Sequence, residues 1–137
     1  MPIPGSNDDE TMVANLAHFD LQREIADSEQ CKPWPSGIHA RTLFKRPDFR
    51  VVLISMEAAA QIKEHHVDGT SSVQVLKGKI RYSTQGQVYE LPTGSLLTLG
   101  ASIKHQVEAI EESAFLLTIS WPDNRELLAL SHRGYGT

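Results

Sequence analysis

Three glycines, Gly78, Gly86 and Gly94, stand eight residues apart and divide the middle of the chain into short runs of β-forming residues. This interval leaves room for strands of about five residues joined by tight turns, and none for a helix of ordinary length. Lys77-Gly78, Gln85-Gly86 and Pro92-Thr93-Gly94 supply the positive-φ or Pro-Gly chemistry that such turns need. The rhythm is one of hairpins rather than of a repeated sequence, so a solenoid fits poorly. The runs at 72–76, 79–83, 87–91, 95–99, 104–109 and 113–121 predict a meander within a small all-β sandwich or barrel.

Two further strands are expected upstream, at 38–44 and 49–56, separated by Lys45-Arg46-Pro47-Asp48. In the second, Val51 and Leu53 share one face while Val52, Ile54 and Met56 share the other, the pattern of a central strand covered on both sides. Before them, Pro33-Trp34-Pro35-Ser36-Gly37 breaks any helix, because each proline biases its predecessor toward extended geometry. Leu16, Phe19, Leu21 and Ile25 allow one or two peripheral helical turns over 16–25. Residues 1–14, rich in Pro, Gly and acidic groups, read as a disordered arm, and 15–137 as one domain. Near the C-terminus, Asp123 and Glu126 form a capping box ahead of Leu127, Leu128 and Leu130, predicting a short terminal helix.

The net charge is −4, and no basic cluster is longer than Lys45-Arg46, so the footprint of a nucleic-acid binder is missing. The N-terminal stretch has neither a basic nor an apolar signal region, and no run is long enough to span a bilayer, which predicts a soluble, cytoplasmic protein without a membrane partner. A single cysteine, Cys31, suits a reducing compartment and reads as an inert thiol. Nucleophile-elbow, P-loop and dinucleotide motifs are missing.

Candidate chemistry gathers in Glu64-His65-His66-Val67-Asp68-Gly69 and Ser102-Ile103-Lys104-His105. Period-two alternation puts His105 on the face of Val107 and Ala109, away from Lys104, Gln106 and Glu108, and therefore inward. His65 and His66 cannot both join it, since neighbours on a regular strand point to opposite faces. Tyr82 shares a face with Ile80 and is expected to point into the barrel. Imidazole favours Fe, Mn, Ni, Zn or Cu, but two histidines fall short of the three or four protein ligands that such ions usually have.

From about residue 49 to 121 the chain resembles a small single-domain cupin of the RmlC-like kind, whose first motif runs G-x5-H-x-H-x3,4-E-x6-G and second G-x5-P-x-G-x2-H-x3-N. Gly94, Gly100 in place of Pro, Ser102 in place of Gly, and His105 follow the second motif, with Ala109 at its final Asn. The first is degenerate. Counting back from Gly78, His65 takes the first His position, Val67 the second and Ser71 that of the Glu, while a longer spacing gives Glu64 and His66 the two His positions.

The resemblance implies a double-stranded β-helix, a jelly-roll barrel with an incomplete metal cage. It implies a small-molecule binding domain with His65, Ser71, Tyr82 and His105 around a pocket. An alternative is a metal-dependent enzyme, a dioxygenase or isomerase, in which His65, His66, His105 and Glu64 hold a divalent transition metal. For that, Glu64 and His65 would have to face the same way, which requires a β-bulge. A third reading is a structural or regulatory protein, since cupins commonly form homodimers through their sheets.

Overall fold

The structure is a computed structural model and describes residues 15–121, so the expected arm over 1–14 and the expected terminal helix lie outside the described residues. A helix, α1 (Leu21–Glu29), and a short 3-10 turn precede nine strands: β1 (Ile38–Arg46), β2 (Phe49–Met56), β3 (Gln61–His65), β4 (Thr70–Lys77), β5 (Lys79–Thr84), β6 (Gln87–Pro92), β7 (Leu96–Leu99), β8 (His105–Ala109) and β9 (Ser113–Ser120). Each hairpin run expected from the glycine rhythm is a strand, with its ends shifted by no more than two residues. The strands form two antiparallel sheets, ordered β1-β2-β9-β4-β7 and β3-β8-β5-β6.

The helix begins later than the apolar spacing suggested. The Asp20 side chain accepts the backbone N–H of Arg23 and fixes the start at Leu21, while Leu16 is left 84% exposed. Ile25 packs with Leu43, Leu53 and Ala114 on the outer face of the five-stranded sheet, and the buried Trp34 ties back to the helix with its indole N–H on the Ser28 carbonyl at 2.9 Å. As its double-sided apolar pattern required, β2 is covered on both faces. Leu53 lies under the helix, while Ile54 and Met56 face the opposite sheet with Val73, Val75, Ile80, Tyr82, Val107 and Phe115.

The two ends of the barrel differ. At one, Lys32 and Lys77 alternate with Glu29 and Glu112 in a ring of ion pairs of 2.7 to 3.4 Å that ties the end of α1 to the β4–β5 and β8–β9 turns. Beneath it the buried Ser113 hydroxyl accepts the Lys79 N–H at 2.9 Å. Gly78, at φ +78°, has no room for a Cβ, which would strike the Glu112 carbonyl. At the other end β3 crosses from one sheet to the other through residues 66–69, and Gly69 lies hard against the Ser120 carbonyl of β9. The register of β5 on β8 places Thr84 opposite His105 at this second end, and that of β3 on β8 adds His65.

Candidate functional site

His105 is the first residue of β8 and 7% exposed, on the same face as the buried Val107 and Ala109, as alternation predicted. Its ring lies 5.0 Å from that of Tyr82, nearly parallel, and Tyr82 fills the core beneath it at 1% exposure. His65 reaches the same face through an irregularity in β3. Ile62 pairs with Val107 and His65 with His105, so three steps on β3 match two on β8. That bulge turns His65 onto the face of His105, at the exposed rim, where regular alternation from Ile62 would have presented Glu64. The two imidazoles meet edge to face, with centroids 4.3 Å apart.

Both rings are anchored in the same way. Nδ1 of His65 lies 3.1 Å from the Lys63 carbonyl, and Nδ1 of His105 lies 3.1 Å from the Ile103 carbonyl. A carbonyl can only accept, so in each ring Nδ1 is the donor, and in the neutral ring Nε2 holds the lone pair. Burial pushes the His105 pKa below its usual value, and the nearby His65 and His66 push it the same way, against the Ile103 hydrogen bond. His105 is therefore neutral at pH 7, with an Nε2 acceptor. Burial alone holds the Tyr82 phenol well above its ordinary pKa, so it remains a neutral hydroxyl.

The other sequence candidates are placed differently. The bulge does not turn Glu64 to face the way of His65. Glu64 lines an open groove with Ser83, Lys104 and Gln106 beside the outer face of the four-stranded sheet, next to a small cleft of about 60 Å³ among Gln61, Arg81 and Glu108. His66 follows β3 and is half exposed, 3.8 Å from Asp68. Ser71 is buried on the inter-sheet face of β4, in line with Val73 and Val75. Among the described residues, no three His, Cys, Asp or Glu side chains are gathered so as to hold a metal ion.

Sequence reasoning did not single out Arg50 and Lys45 as site residues. Arg50 falls on the face of Val52, Ile54 and Met56, and its register partner on β9 is Ile119, beside Ser71. It therefore lies on the inter-sheet face at the histidine end. Alternation carried that signal, but only the pairing of β2 with β9 shows which end of the barrel Arg50 occupies.

By sequence, the chain matches no protein-family model and no curated protein. By structure, it is similar to a cupin superfamily protein from Desulfitobacterium hafniense, with a TM-score of 0.67 and 15% identity over 80% of this chain and 100% of the other. An RmlC-like cupin from Shewanella frigidimarina superposes with a TM-score of 0.61 and 15% identity over 66% and 82% of the two chains. The chain has the cupin fold. A conserved Streptococcus pyogenes protein of unknown function shares it as well, with a TM-score of 0.65 and 22% identity over 82% and 93%.

Within this cupin barrel the two motif regions meet at the histidine end, where the Ser102 N–H donates to the Val67 carbonyl at 2.8 Å. Ser102 occupies the motif's glycine position at φ +64°. The turn is thus kept although the residue has changed. Among the described residues no helix is long and apolar enough to cross a membrane.

Proposed function

We propose that this cupin is a small-molecule binding domain whose site is the histidine end of the barrel, with His65 and His105 as the recognising groups. The observation that carries the reading is the shared anchoring of the two rings, which frees both Nε2 atoms as acceptors side by side. Deeper in the barrel Tyr82, Phe115 and Met56 are fully buried and pack the interior, so the ligand sits at the mouth. Ser71 adds a hydroxyl on the inter-sheet face from the opposite sheet.

The four-ligand metal cage of cupin enzymes does not fit this donor set. Val67 and Ser71 stand at two ligand positions, and Glu64 lines the outer groove. A second reading, metal-dependent catalysis, is favoured by the same Nε2 atoms, since neutral imidazole is a good ligand for Fe, Mn, Ni, Zn or Cu. Only two such ligands come from the chain, so a bound ion would depend on the small molecule for the rest.

Long-range 1H–15N spectra of the imidazoles, recorded while a panel of small polar molecules is added to tag-free protein, test the site. Nε2 of His65 and His105 should shift together and saturably with at least one compound, and His105→Ala should abolish binding. Metal content after purification without chelators should stay far below one equivalent. Near-stoichiometric metal that disappears in His105→Ala would replace this reading with the metal-dependent one. Silence of both rings toward every compound and ion would end both.

A further inference from the structure

We infer that the ligand at the barrel mouth is a small carboxylate, held by Arg50 with Lys45 beside it. The inference rests on the mouth being the ligand site. Arg50 lies on the inter-sheet face of β2 at the same end as the histidine pair. Lys45 is its direct partner across the β1–β2 ladder. A bulge between Thr42 and Phe44 sets that pairing; without it, Thr42 opposite Val52 would lead to Phe44 opposite Arg50. Two bulges therefore shape this end of the barrel, one presenting His65 in place of Glu64 and the other Lys45 in place of Phe44.

Two cations directly opposite each other on a ladder repel, and among the described residues no carboxylate offsets it. Among the described residues Arg41 pairs with Glu24 at 3.1 Å and Arg81 with Glu108 at 2.9 Å, whereas no ion pair reaches Arg50 or Lys45. Nε of Arg50 is moreover buried without a hydrogen-bond acceptor, an arrangement that is costly unless a ligand supplies one. The guanidinium lies over the Trp121 ring, 5.3 Å from its centroid. A contact made through the face of the group would leave its in-plane N–H fork for a carboxylate, bound through two parallel hydrogen bonds.

An anion between Arg50 and Lys45 offsets their repulsion and gives Nε its acceptor. The rest of the molecule then extends toward His65 and His105, whose Nε2 atoms accept from hydroxyl or amine groups. Asp48 and Asp68, in the two loops at this end, are exposed acidic groups that disfavour a dianion such as phosphate.

The test uses the full chain with lactate, a monocarboxylate carrying a hydroxyl, as probe, and inorganic phosphate and sodium chloride as separate arms. Lactate should shift the Arg50 Nε–H resonance saturably, while chloride at equal ionic strength should not. Arg50→Gln should weaken lactate binding about tenfold or more, the scale of a lost charge-assisted pair. Arg50→Lys, which keeps the charge and loses the fork, should weaken it less and controls for folding.

If small molecules shift the His65 and His105 rings while Arg50 Nε–H stays fixed and Arg50→Gln leaves affinity unchanged, this inference falls and the mouth reading stands. Tighter binding of phosphate than of lactate overturns the choice of a carboxylate. If neither the rings nor Arg50 respond to any compound, both readings fall.

Discussion

The two ends of the barrel handle charge in opposite ways. At the α1 end, Lys32 and Lys77 each contact both Glu29 and Glu112, Ser113 accepts from Lys79 and donates to neighbouring carbonyls, and Gly78 leaves no space. At the mouth, Arg50 and Lys45 face each other without a counter-ion among the described residues, and two imidazoles are anchored to the backbone through Nδ1. Polar groups satisfied within the chain hold a fold together; polar groups left unsatisfied at one end of a well-packed barrel point to a ligand.

Glycine substitution separates the ends most sharply. Gly78 and Gly86 have nearly the same φ, +78° and +75°, yet a Cβ at Gly78 meets backbone while one at Gly86 meets nothing within 4 Å. Gly78→Ala should cost roughly 3 kcal/mol or more, combining left-handed strain with a clash, and Gly86→Ala about 1 kcal/mol from strain alone. Urea denaturation of the two variants measures the difference, and equal losses would show that the α1 end is no tighter than the mouth.

Acid should act at the two ends in different ranges. Burial lowers the His105 pKa, so the unfolded chain takes up a proton that the native state resists, and stability falls as pH drops below the ordinary value of 6.5. His105→Gln should flatten that slope. His39, also lowered by burial and by Arg41, keeps part of it. Glu112 is held down to about 2, first by its hydrogen bond to Lys32, so its contribution is present above 4.5 and fades between about 4.5 and about 2. Equilibrium unfolding at steps from pH 7.5 to 3 resolves the two windows.

At neutral pH, Glu112→Gln should cost about 1 kcal/mol or less, and less still in high salt, because the side chains of the ring remain in contact with solvent. A larger, salt-independent loss would mean that the ring is shielded from water. Smallest of all, Ser102→Gly should change stability by under about 1 kcal/mol. Relief of the positive-φ strain is set against greater freedom of the unfolded chain, as paired melts of the two proteins would show.

Much of this was legible without coordinates. The glycine interval predicted six of the strands, double-sided apolar alternation placed β2 between two covered faces, and period two turned His105 inward. The start of α1 was missed because an Asp20 cap outweighs the weak apolar spacing of 16–25. His65 was the ambiguous residue. No local pattern distinguishes a regular β3, which would have pointed Glu64 inward, from the bulged one that points His65 there.

The sequence by itself determined the barrel, because turn chemistry and period-two burial are local properties that each strand carries alone. Only the tertiary structure decided which polar residues share the mouth. Bulges at 42–44 and 62–65 arise from the register between strands, and register is settled when whole faces pack. Those two shifts bring Lys45 to Arg50 and His65 to His105 at one end of the barrel.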